Sequence, residues 1–113
     1  MHERSLLMAL LRQVNRIQAE NHAAAVVEIA VEAGPLSGVE PDLLSSAFTE
    51  FAPQYPQARL TINVVPVTAL CQSCHETWTV QRFASACPAC YSTRVQITGG
   101  DAFQLLSVTL RDR

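Results

Sequence analysis

Lysine is absent from this chain of 113 residues, and aromatics are scarce, with one Trp, two Tyr and four Phe. All eight basic residues are arginines scattered from Arg4 to Arg113, and the net charge is −2. Without a basic stripe, nucleic acid is excluded as the main partner. No apolar run reaches the ~20 residues a membrane-spanning helix needs. The N-terminus lacks a charged stretch, apolar stretch and cleavage site in series, so no signal peptide is expected and the setting is read as cytoplasmic. A glycine-rich phosphate loop is missing. No motif gathers Ser, His and acidic residues into one place, so the chain is read as a non-enzyme. Glu40 and Asp42 read as helix-start residues, and His22 as structural or solvated at a helix-to-strand junction.

What is present is aliphatic. Apolar residues make up 49% of the chain, so Val, Leu, Ile and Ala must build the core. A domain of this size buries roughly two thirds of its unfolded surface. Leu6, Leu7, Leu10, Leu11, Val14 and Ile17 recur at helical spacing after Ser5, a capping residue type. Val27, Ile29 and Val31 alternate with Glu28, Ala30 and Glu32, which predicts a half-buried strand. Gly34-Pro35 and Ser37-Gly38 mark a loop. Pro41 suits the first position of a second helix with Leu43, Leu44, Ala47, Phe48 and Phe51 on its buried side. Leu60, Ile62 and Val64 predict a second strand; Leu106, Val108 and Leu110 predict the inward face of a last one. The expected fold is α+β: two helices on a small three-stranded sheet, with a zinc-ribbon-like lobe inserted before the final strand.

The lobe carries the chemistry. Cys71-Gln72-Ser73-Cys74 and Cys87-Pro88-Ala89-Cys90 are separated by a dozen residues. Two residues inside each pair let both sulfurs turn onto one ion, and four thiolates suit tetrahedral Zn2+ and leave no open catalytic position. A rubredoxin-like iron site uses similar pairs, and disulfides would need an oxidising compartment. Leu70, Trp78, Val80 and Phe83 are too few to hold such a lobe together. A structural zinc contributes about 10–16 kcal/mol to folding, so the lobe is expected to unfold without metal, with Trp78 reporting it. His75, next to Cys74, reads as a surface residue beside a closed shell, with a spare ligand as the sharper alternative.

The chain opens Met1-His2-Glu3. A bulky second residue is expected to leave Met1 in place, which sets an amine, backbone amides and an imidazole within reach of one ion. Nitrogen donors in a plane suit Ni(II) or Cu(II). Alone, a histidine at position 2 carries little weight.

The combination carries more. Met1-His2-Glu3, Ser5-Leu6, Gly34-Pro35-Leu36-Ser37-Gly38-Val39 followed by Leu43 and Phe48, the two cysteine pairs, and Ile97-Thr98-Gly99-Gly100 occur together. This resembles the HypA/HybF family of hydrogenase nickel-incorporation proteins over essentially the whole chain. The resemblance implies a nickel-binding domain of residues 1–65 and 98–113 and a zinc-binding domain of residues 66–97. It implies His2 as nickel ligand, with main-chain nitrogens of Met1 and Glu3, and Cys71, Cys74, Cys87 and Cys90 as zinc ligands. Zn2+ would be structural and Ni2+ the cargo. Family members pass nickel to the large subunit of [NiFe]-hydrogenase with a HypB-type GTPase, and some serve urease maturation. The chain departs from many members at Tyr91, where Gly or His follows the last cysteine, and at Asp101-Ala102-Phe103. The competing reading is a zinc-ribbon protein-interaction module without nickel transfer.

Overall fold

The computed structural model describes residues 2–81 and 86–112, with backbone only for His2. Met1, the His2 imidazole and Phe83 therefore lie outside the described residues.

The order of elements is α1 (His2–Glu20), β1 (Ala25–Ala33), α2 (Pro41–Phe51), β2 (Arg59–Val64), β3 (Thr68–Cys71), β4 (Thr77–Thr79), β5 (Val95–Gly99) and β6 (Phe103–Arg111). They form two three-stranded sheets, ordered β2-β1-β6 and β4-β3-β5. In the first, β1 pairs parallel with β2 and antiparallel with β6. In the second, β3 pairs antiparallel with both neighbours. This is the α+β architecture read from the sequence, with the cysteine lobe between β2 and β6.

One aliphatic core joins α1, α2 and the first sheet. Leu7, Leu10, Leu11 and Val14 meet Val26, Ile29, Val31, Ala33, Leu44 and Ala47. Ser5 does not start α1; the helix begins at His2, and the buried Glu3 carboxylate Oε2 accepts the Glu40 N–H at 3.0 Å. At the other end His22 adopts positive φ while His22 N–H reaches Ala19 O and Ala23 N–H reaches Gln18 O. That left-handed cap turns the chain into β1 and accounts for His22 structurally. Arg4 lies 4.4 Å over the Phe51 ring, and the buried Tyr55 hydroxyl donates to Asn15 Oδ1, so α1 is pinned at two points to the C-terminal end of α2 and the turn after it.

Two expected burial patterns are corrected. Leu106 is exposed, and Leu105 takes its place facing the core with Val108 and Leu110. The register passes from Ala30↔Ser107 to Val31↔Leu105, so Leu106 is an extra, bulged residue. Val27 is likewise skipped between Val26↔Leu110 and Glu28↔Thr109, which puts Val26 inward instead. A strict period of two cannot anticipate a bulge, because the inserted residue inverts the faces on one side of it. Leu43 and Val64 are also exposed rather than buried.

The cysteine lobe has almost no apolar interior. Among its described residues, the buried apolar side chains are Ala69, Cys71 and Cys87, while Leu70, Trp78 and Val80 are half-buried. The molecule measures 57 × 27 × 17 Å with a radius of gyration of 17.8 Å. A compact domain of this length would have about 13 Å. The excess comes from standing the thin lobe beside the helical layer.

Candidate metal centre

Each cysteine pair sits on a backbone knuckle. At the end of β3, Cys71 N–H donates to Glu76 O at 2.8 Å and His75 N–H returns to Cys71 O at 2.9 Å. The second knuckle repeats this: Cys87 N–H donates to Ser92 O and Tyr91 N–H to Cys87 O, both at 2.9 Å. Inside each turn, amides aim at the first sulfur. Ser73 and Cys74 N–H lie 3.3 and 3.4 Å from Cys71 Sγ, and Ala89 N–H lies 3.3 Å from Cys87 Sγ. Amide dipoles pointed at sulfur favour the thiolate. A Ser73–Ser92 hydroxyl contact of 2.8 Å and a Gln72 N–H bond to Arg94 O at 2.8 Å hold the knuckles together.

The four sulfurs converge. Their Sγ atoms all lie within 4.8 Å of one another, with 3.6 Å between Cys71 and Cys90 and 3.7 Å between Cys74 and Cys87. A tetrahedron with metal–sulfur bonds of ~2.3 Å has edges of roughly 3.8 Å. The donor set and spacing therefore fit one tetrahedral ion. Cys71 and Cys87 are buried, and Cys74 and Cys90 face solvent. Among the described residues, no second group of His, Cys, Asp and Glu converges in this way.

Crowding divides the protons unevenly. The Cys71 thiol falls to about 6, foremost because the Cys74 amide bonds to it, with the Ser73 amide and the Cys90 and Cys74 side chains outweighing burial. For Cys74 the Glu76 backbone bond lowers the pKa, but burial and sharing with Cys90, Cys87 and Cys71 push it up to about 12. Cys90 has the Ser92 backbone bond, yet it too is raised, by burial and by Cys71 and Cys87. A divalent cation at the centre would draw all four to thiolate.

His75 is exposed and turned by its positive φ, beside a sulfur shell complete without it. In the helical layer, the structure gives Glu3 a role that the sequence reading did not: its carboxylate is anchored at the start of α2, on the Glu40 amide. The separation of Glu3 and Glu40 by 37 residues left no local signal of that bond.

Comparison with known proteins decides the family. The family profile described as "Hydrogenase/urease nickel incorporation, metallochaperone, hypA" matches residues 1–110. The chain belongs to the HypA family. It is 34% identical over 112 residues to the hydrogenase maturation factor HypA of Shewanella baltica (strain OS223), covering 97% of this chain and 96% of that one. With the hydrogenase maturation factor HypA of Desulfitobacterium hafniense (strain DSM 10664 / DCB-2) it shares 32% over 114 residues, covering 99% and 100%. The solution structure of the Ni metallochaperone HypA from Helicobacter pylori superposes with a TM-score of 0.70 at 25% identity, covering 98% of each chain. A second solution structure of a HypA protein gives 0.76 at 26% identity, covering 100% of this chain and 98% of that one. Among the described residues, no helix is long and apolar enough to cross a membrane. The HypA family is one of nickel-incorporating metallochaperones, and the four-cysteine metal site sits within that setting.

Proposed function

We propose that this chain is a cytoplasmic nickel metallochaperone that delivers Ni(II) to the large subunit during [NiFe]-hydrogenase maturation. In this reading Cys71, Cys74, Cys87 and Cys90 hold one structural zinc. The nickel is cargo, carried by His2 with main-chain nitrogens of Met1 and Glu3. The chain acts as a carrier, not a catalyst. Its partners are a HypB-type GTPase, the hydrogenase large subunit and, for some relatives, urease maturation proteins.

The single observation that supports this best is the pairing of a whole-chain family match with four converging sulfurs. Bound zinc supplies a fixed divalent charge that neutralises crowded thiolates and stands in for a missing apolar core. The rest is the work of the chain. Amides of Ser73, Cys74 and Ala89 orient the sulfurs, and the knuckle bonds of His75 and Tyr91 hold the turns shut. At the N-terminal end, a few donors at a chain tip form a shallow site whose ligands a partner's donors can replace one by one, so that the ion passes to the partner. Burial of the Glu3 carboxylate against Glu40 steadies the backbone immediately after His2.

The test is nickel titration calorimetry at fixed zinc content on the untagged chain. His2→Ala should abolish tight nickel binding while zinc content and thermal stability stay at parental values. Parental nickel affinity in that variant would remove the N-terminal assignment. Iron found in place of zinc would change the ion assigned to the cysteines and leave the nickel assignment standing.

A further inference from the structure

Two strands of backbone connect the helical layer to the cysteine lobe: residues 65–67 after β2, and 100–102 before β6. They do not simply run side by side. Gly100 has φ +86, and a Cβ there would lie 2.6 Å from Val67 Cα and 2.8 Å from Pro66 O. Gly34, just beyond β1, presses on the same point. A Cβ on Gly34 would lie 2.1 Å from the carbonyl carbon and oxygen of Gly100. Three backbones therefore meet where only hydrogen fits, at the junction between the lobes.

Hydrogen bonds lock this contact. Gly34 N–H donates to Ala102 O at 2.9 Å and Leu36 N–H to Gly100 O at 2.8 Å, so the 34–36 turn grips the second connection on both sides of Asp101. On the lobe side, Val80 N–H donates to Val67 O at 2.8 Å, which holds the first connection to the strand carrying Trp78. The grip continues away from the junction. Ser37 Oγ donates to Gly34 O at 2.6 Å and accepts Val39 N–H at 3.2 Å. The next residue, Glu40, donates its N–H to the Glu3 carboxylate in the first turn of α1.

We propose that residues 34–40 form a strap that fixes the orientation of the cysteine lobe against the helical layer and ties it to the first turn of α1. The connecting segments alone would act as a hinge, because two short connections outside either sheet resist bending poorly. With the strap closed, the first turn of α1 and the cysteine lobe move as one body, because Glu3 is bonded to Glu40 at one end of the strap and Gly34 is seated on Gly100 at the other. A partner docked on the lobe then meets the N-terminal tip at a set position. This goes beyond the metal assignments and does not depend on which ion either end holds.

The test uses the full chain and NMR. In the parent, residual dipolar couplings from both sheets should fit one alignment tensor, and the Leu36 and Glu40 amides should exchange slowly. Gly34→Ala forces a Cβ into Gly100, so the two sheets should then need separate tensors, with Leu36 and Glu40 exchanging about ten-fold faster or more. If that variant does not fold, Leu36→Pro, which deletes the amide that Gly100 accepts, carries the same expectation. Ser37→Ala spares the glycine contact but cuts the link toward Glu40; it should keep one tensor and the parental Leu36 exchange rate while the Val39 and Glu40 amides exchange faster. Separate tensors in the parent, or a single tensor with parental exchange rates in the folded variant, would overturn the proposal.

Discussion

His75 and Tyr91 occupy the same place in two copies of one turn. Each follows the second cysteine of its pair, each donates its N–H to the first cysteine's carbonyl at 2.9 Å, and each has positive φ, 65° and 63°. Left-handed backbone costs a residue with a Cβ about 1–2 kcal/mol. Histidine tolerates it better than most residues, and tyrosine has no such advantage. The knuckle geometry thus gives a reason for the Gly or His that the family resemblance leads one to expect after the last cysteine, where this chain has Tyr91. Tyr91 is also 80% exposed, so its ring gains little by packing there. Tyr91→Gly should stabilise the lobe by up to about 1 kcal/mol, after the greater unfolded-state freedom of glycine is set against the relieved strain. Tyr91→Val should weaken it. Thermal melts of the metal-loaded chain followed by Trp78 fluorescence check both, and a lower melting point for Tyr91→Gly would contradict the strain argument.

The two lobes should part company when metal is removed. The buried core cluster draws every member from the helical layer and its connections and none from residues 66–99. A strong chelator under reducing conditions should therefore unfold the cysteine lobe and leave the helices folded. Trp78 emission should shift to the red and the lobe's amide resonances collapse, while far-ultraviolet helical signal persists. Loss of both together would mean that the cores are energetically one.

Neighbouring leucines on α2 should behave oppositely. Leu44 is completely buried and Leu43 is 46% exposed. Leu44→Ala should cost about 2–5 kcal/mol through lost transfer energy and a cavity. Leu43→Ala should stay within about 0.5 kcal/mol of the parent. Urea denaturation monitored by circular dichroism separates the two.

Glu3 should matter to stability as well as to any ion near it. Its carboxylate bonds the Glu40 amide at the start of α2, where a negative charge also meets the helix's positive end. Glu3→Ala should destabilise the helical layer by about 1–3 kcal/mol, and Glu3→Gln, which keeps an acceptor without the charge, by less. The readout is the urea midpoint. Equal losses in the two variants would place the effect in the charge alone and not in the acceptor oxygen or the packing of the side chain.

Much of this was legible in the sequence because period carries physics. The α1 stripe from Leu7 to Val14, the proline opening α2 and the alternation of Leu60 and Ile62 each state which face is apolar. The paired cysteines state their own geometry, since two intervening residues suffice for a knuckle. What escaped was long-range. Leu106 and Val27 are bulged, and a bulge is fixed by the partner strand's register, which alternation within one strand does not record. The grip of Gly34 on Gly100 joins residues far apart in the chain, and from the sequence alone each glycine reads only as a turn.

The central claim is that four cysteine thiolates close around one ion and so give shape to a lobe that its apolar residues cannot hold. X-ray absorption on the reduced, untagged protein tests it most directly. The account predicts one zinc per chain with four sulfur neighbours at about 2.3 Å. Protein purified without a bound metal at the cysteines, with Trp78 still in a rigid environment, would contradict it.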